Sequence, residues 1–98
     1  MGFFYRRAPA APAVERFMAA RGAARCAEAV RVVRQLCETP NNIPALWERI
    51  ELPLVQDLPD CPPDTKRALI TALEDCSTVC RHRDTARRLM IVRDSLRQ

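Results

Sequence analysis

Apolar side chains return every three or four positions through this sequence, and prolines cut that rhythm into separate pieces. Such spacing puts one apolar stripe on an α-helix, whereas a half-buried strand needs strict alternation. The sequence has no convincing alternating run and no hairpin turn signal. The chain is therefore expected to be all-α, a small bundle of three to four helices behind an extended N-terminal leader.

Residues 1–12 read as that leader, because Ala8-Pro9-Ala10-Ala11-Pro12 favours a semi-rigid extended path. Residues 13–98 read as one helical domain. Pro12 or Ala13 opens a long helix over 13–38, with Met18, Gly22, Cys26, Val30, Val33 and Cys37 as its stripe. Gly22 costs roughly 1 kcal/mol there relative to Ala, a cost that a closely approaching backbone or a nearby tolerant end would explain. Pro40, Asn41 and Asn42 break the pattern. Asn42 then caps a second helix, Ile43–Leu52, with Pro44 in its first turn and Leu46, Trp47 and Ile50 inward. Pro53 is expected to stop it, leaving 54–61 as an irregular crossing. Pro62-Pro63 opens a third helix with Leu69, Leu73, Cys76 and Cys80 inward, and that stripe slips at Arg81-His82-Arg83. Asp84 is the expected cap of the last segment. Ala86, Leu89, Val92 and Leu96 line up afresh, as a fourth helix or as a continuation with a changed face.

The formal charge of +4 sits wholly at the front. Arg6, Arg7, Arg16, Arg21 and Arg25 face one acid, Glu15, while residues 26–98 balance to zero. Phe3, Phe4 and Tyr5 stand directly before Arg6 and Arg7. Aromatic rings and guanidinium groups are favoured anchors in protein grooves, and they also suit the headgroup level of a membrane. Phe3 to Arg7 is thus expected to be a grip on another chain or on lipid headgroups, with Trp47 as a second contact. An arginine-rich, acid-poor leader is also the composition of a mitochondrial presequence, although Pro9 and Pro12 interrupt a helix there and serine is lacking. No apolar run approaches the ~20 residues that span a bilayer, and no secretory centre is evident. Met1-Gly2 lacks the Ser or Thr at position six that myristoylation wants.

Lys66 is the sole lysine among sixteen basic residues. Codon usage in a GC-rich genome accounts for that, as does recognition of phosphate or carboxylate by guanidinium forks. A dedicated nucleic-acid binder concentrates its charge on one face. Here Asp84 and Asp94 offset Arg87, Arg88, Arg93 and Arg97, so nucleic acid is not an expected partner. Catalysis needs a nucleophile, a base and an orienting group converging in a pocket. One histidine, two glycines and no phosphate-cradling loop do not supply these. Glu48, Glu51, Glu74 and Asp75 read as solvated helix faces, and no cofactor is expected. Beyond residue 5 the only aromatics are Phe17 and Trp47, so a lone core would be thin and a partner would add to it.

The five cysteines, Cys26, Cys37, Cys61, Cys76 and Cys80, leave two readings open. As small hydrophobes they would fill the stripes as free thiols. Alternatively one or two pairs are bonded. Cys26 and Cys37 lie about 16 Å apart along an ideal helix, so they share a face and cannot bond each other. A facing helix with Cys76 and Cys80 could meet them. This layout resembles the twin-cysteine helical hairpins of the mitochondrial intermembrane space, the coiled-coil-helix-coiled-coil-helix family. In such a hairpin Cys37 would pair with Cys61, and Cys26 with Cys76 or Cys80. The gaps here are ten and fourteen residues, or ten and eighteen, rather than the family's nine or so, and one cysteine is left over. A metal set of Cys61, Cys76, Cys80 and His82 has no second tight pair to complement Cys76 and Cys80, so no metal is expected. His82, between two arginines, reads as solvent-facing at a helix junction.

These readings point to a non-catalytic structural or accessory subunit of a multisubunit complex. The expected place is the mitochondrion, on the matrix or intermembrane side of the inner membrane, in a respiratory-chain complex or ATP synthase. The alternatives are an RNA-contacting subunit such as a mitochondrial ribosomal protein, a disulfide-stapled helical hairpin protein, and a small viral or regulatory adaptor.

Overall fold

Gly22 divides the segment expected to be one long helix. Its φ of +61° and ψ of −138° lie where a side chain is strained, and the helix cannot continue through it. The structure, a computed structural model, describes residues 10–97. Among them are five α-helices and no strand: α1 (Ala10–Ala19), α2 (Ala23–Cys37), α3 (Ile43–Asp57), α4 (Pro63–Val79) and α5 (Arg83–Leu96). Short 3₁₀ turns, Pro40–Asn42 and Leu58–Asp60, precede and follow α3. The all-α class holds, with five helices instead of three to four.

Helix α1 begins at Ala10, inside the stretch expected to be extended, and Pro12 is tolerated because first-turn amides have no helical partner. Its far end is closed by Arg21, whose guanidinium donates to the carbonyls of Met18 at 2.9 Å and Ala20 at 2.8 Å. The break folds α1 back on α2 and buries Ala13, Val14 and Phe17. A straight helix over 13–38, about 39 Å long, would have carried Phe17 away from the rest. The buried face of α2 is Cys26, Ala29, Val32, Val33 and Leu36, while Met18, Val30 and Cys37 sit at the core's edge.

Pro53 does not stop α3, which runs on to Asp57. An interior proline costs about 3 kcal/mol. Ile50, Leu54 and Leu58 stand at four-residue intervals and are all buried, and each full burial returns about 1.5–3 kcal/mol. The burial outweighs the proline. Pro63 opens α4 as expected, with Asp64 in the first turn. At α5 the cap is His82, not Asp84: its Nδ1 accepts the Thr85 N–H at 3.2 Å.

Helix α4 lies between α2 and α5, and α3 touches α1, α2 and α5. Cys26 meets Cys61, and Cys37 reaches the Ala72 carbonyl, both across 35 residues. A constant offset means that α2 and α4 run in the same direction. The intervening α3 makes the return passage. Arginines cross the helix interfaces: Arg49 to Glu15 at 2.7 Å, Arg25 to Asp57 at 3.0 Å, Arg88 to Glu51 at 2.5 Å, and Arg93 and Arg97 to Glu74 at 2.8 and 3.0 Å. The exposed pair Arg49–Glu15 contributes ~0–1 kcal/mol, while Arg25, Glu51 and Arg93 are half-buried in theirs.

Candidate functional site

The surface that stands out lies between α3 and α5. Arg88 meets Glu51, and further on Ser95 and Leu96 of α5 share a notch with Val55 of α3 and with Leu58 and Pro59 of the turn that follows it. The two helices therefore also run side by side in one direction. Leu52 is three residues before Val55, and Ile91 lies between Arg88 and Ser95 on the same side of α5. Leu52 is 64% exposed, Ile91 60% and Val55 45%. Val55 forms the apolar rim of the notch, whose volume is ≈ 260 Å³ and whose wall includes Lys66, while Leu52 and Ile91 are exposed on the outer faces of the two helices that border it. That volume is below the ~300–1,000 Å³ of small-molecule pockets and fits one anchoring side chain of a protein partner.

Sequence reasoning missed Leu52, Val55 and Ile91. The available signal was their position off the inward stripes of their own helices. Trp47 must be corrected in the other direction: it is 1% exposed and belongs to the core, so it offers no contact face. Its place on the Ile43-Trp47-Ile50-Leu54 stripe explains why. Phe3, Phe4, Tyr5, Arg6 and Arg7 lie outside the described residues.

The cysteines are neither all free nor paired as a hairpin would pair them. Cys26, in the first turn of α2, is bonded to Cys61, just before α4, with a Cα–Cα distance of 5.7 Å. Antiparallel helices would have matched Cys37 with Cys61; parallel α2 and α4 match Cys26 with Cys61 instead. Cys37, Cys76 and Cys80 are free thiols. Cys37 lies 3.6 Å from the Val33 carbonyl and 3.9 Å from the Ala72 carbonyl across the seam. The neighbouring Cys76 thiol, able to donate to a Cys37 thiolate, holds Cys37 below the ordinary thiol range despite its partial burial. The same interaction, together with burial and the neighbouring sulfurs, pushes Cys76 well above it. Cys80, at the end of α4, donates to the His82 carbonyl at 3.4 Å.

A second cavity, of ≈ 390 Å³, borders the disulfide and is lined by Arg21, Gly22, Arg25, Asp57 and Asp60 among others. Its two arginines are engaged, Arg21 by the α1 carbonyls and Arg25 by Asp57 and the Phe17 ring, 4.8 Å away. This cleft reads as a fastened junction. Among the described residues no helix is long and apolar enough to cross a membrane. Comparison with protein-family models, with curated proteins and with solved structures found no match.

Proposed function

We propose that the chain is a non-catalytic accessory subunit of a larger assembly. Its site is the mitochondrial inner membrane, in an energy-converting complex such as a respiratory complex or ATP synthase. The carrying observation is the anchor-sized notch of Val55, Leu58, Pro59 and Leu96, with Leu52 and Ile91 left exposed on the two helices that border it. Large apolar side chains grouped on a surface mark an interaction site, whereas single ones do not. The fitting partner is an amphipathic helix of a neighbouring subunit, its apolar side on the rim and an acid facing Lys66. The Phe3–Arg7 segment supplies a second grip, and the arginine-rich leader supports the mitochondrial address. The Cys26–Cys61 cystine supports the intermembrane side, because disulfides persist where thiols meet an oxidising pool.

The test is the native size of a tagged chain expressed in its own host. Intact chain should migrate with a large species in a mitochondrial extract. Leu52→Glu with Ile91→Glu should release it as a free chain of unchanged helical content, and deletion of residues 1–7 should weaken the association. Incorporation of the double variant at the intact level would remove the docking reading.

A further inference from the structure

Helices α2 and α4 meet through sulfur at two levels of the same parallel seam, and only one level is bonded. At the first, Cys26 and Cys61 form a cystine. At the second, Cys37 stands on the Ala72 carbonyl, one turn from Cys76 on the same face of α4. Ala72 and Cys76 are both buried in the seam, Cys76 completely, while Cys37 is partly exposed at its edge. We propose that Cys37 and Cys76 are a second thiol–disulfide pair, oxidised by a low-molecular-weight disulfide, so that α2 and α4 can carry two covalent rungs.

Exposure dictates the order of attack. A small disulfide, RSSR, cannot reach Cys76 but can reach Cys37. The Cys37 thiolate attacks one sulfur of RSSR, forms a Cys37–SR mixed disulfide and expels RS⁻. Cys76 then loses its proton to solvent and attacks the Cys37 sulfur, expelling the second RS⁻. Two protein thiols are oxidised, RSSR is reduced to two RSH, and the two protons end on the released thiolates. The depressed titration of Cys37 suits it to the first step. Capping Cys37 also takes away the thiolate whose charge keeps the Cys76 proton in place, which frees Cys76 for the second. Cys80 is the competing thiol, but it comes one turn after Cys76 on the same stretch of chain and its sulfur is turned to the His82 carbonyl.

The experiment uses the full chain with Cys26–Cys61 intact and adds oxidised glutathione in increasing amounts. After acid quenching, remaining thiols are alkylated under denaturing, non-reducing conditions and the intact mass is measured. Free thiols should fall from three to one, with no retained glutathione. Cys76 and Cys80 share one tryptic peptide, so the bond is assigned on Cys80→Ser, where the Cys37 and Cys76 peptides should appear linked. Cys76→Ser should stop at a single glutathione on Cys37. Three thiols remaining at every concentration would overturn the proposal, as would a stable adduct on the intact chain or a bond between Cys76 and Cys80. Should the Cys80→Ser variant fail to fold, fragmentation of the linked tryptic peptides of the unaltered chain between Cys76 and Cys80 assigns the bond instead, and a link to Cys80 would equally overturn the proposal.

Discussion

Two parallel helix pairs in this molecule have opposite fates. The α2–α4 seam is closed: Ala29, Val33 and Leu36 on one helix and Leu69, Ala72 and Leu73 on the other are all buried, and a cystine fastens one end. The α3–α5 groove is closed only at its floor, by Leu54, Leu89 and Val92, while Leu52, Val55 and Ile91 remain outside. Small residues account for part of this contrast. Ala29 and Ala72 allow close approach of two backbones, whereas α3 and α5 are held at their edge by the long Arg88–Glu51 pair. The closed seam makes the fold, and the open groove is what the fold can offer to a partner.

Breaking the seam covalently should have the largest effect. The Cys26–Cys61 bond closes a loop of 35 residues, for which the chain-entropy model gives about 4 kcal/mol. Cys26→Ser should lower the urea midpoint accordingly under non-reducing conditions. A loss below about 1 kcal/mol would show that packing alone holds the seam. Next comes a pair of equal truncations. Leu73→Ala, in the seam, should cost about 2–5 kcal/mol, and Leu52→Ala, on the exposed face of α3, less than about 0.5 kcal/mol. In an assembly assay the ranking should invert, with Leu52→Ala weakening incorporation of a chain that is still fully folded. Equal stability losses would erase the distinction between the two regions.

The seam should also titrate where the groove does not. In the unfolded chain Cys37 and Cys76 both release protons near the ordinary thiol value; in the fold Cys37 releases early and Cys76 late. Between the lowered Cys37 value and the ordinary one, the unfolded state holds more protons, so stability rises with pH. Above the ordinary value the unfolded chain has lost both protons and the folded chain one, so stability falls, by up to about 1.4 kcal/mol per pH unit. Denaturation curves from pH 7 to 10 on reduced Cys37 and Cys76 should show this rise and fall. Cys76→Ser should flatten the alkaline limb, and an unchanged limb would mean that the two sulfurs do not share a proton.

Much of the helical framework was legible in the residues, and the failures have identifiable causes. The inward stripes Leu69-Leu73-Cys76 and Leu89-Val92-Leu96 come directly from spacing, and Pro62-Pro63 marks the start of α4. At Gly22 and Pro53 the average residue costs do not decide the structure; tertiary burial does. Gly22 takes a backbone conformation that lets Phe17 fold back, and Pro53 is carried through by Leu54 and Leu58. The cystine partner of Cys26 was not legible, because it depends on whether α2 and α4 run parallel, and local spacing carries no information on direction. Leu52 and Ile91 are visible in the sequence as apolar residues on polar faces, but only the pairing of α3 with α5 forms the notch beside them.

The most local effect should come from the start of α5, one wall of the groove. His82 Nδ1 accepts the Thr85 N–H at 3.2 Å, and the Thr85 hydroxyl lies 2.8 Å from the same nitrogen, so one ring closes the first turn of α5. Removing a capping acceptor costs about 1 kcal/mol, equivalent to a roughly five-fold change in a local opening equilibrium. His82→Ala should therefore speed amide exchange about five-fold in residues 83–86, and His82→Asn should restore protection, because its side-chain oxygen can accept the same N–H. Amides of α2 and α4 should exchange at unchanged rates, since they open with the seam and not with the end of α5. Uniform acceleration through all three helices would instead make seam and groove one cooperative unit, and the rim could not then be altered without loosening the core beneath it.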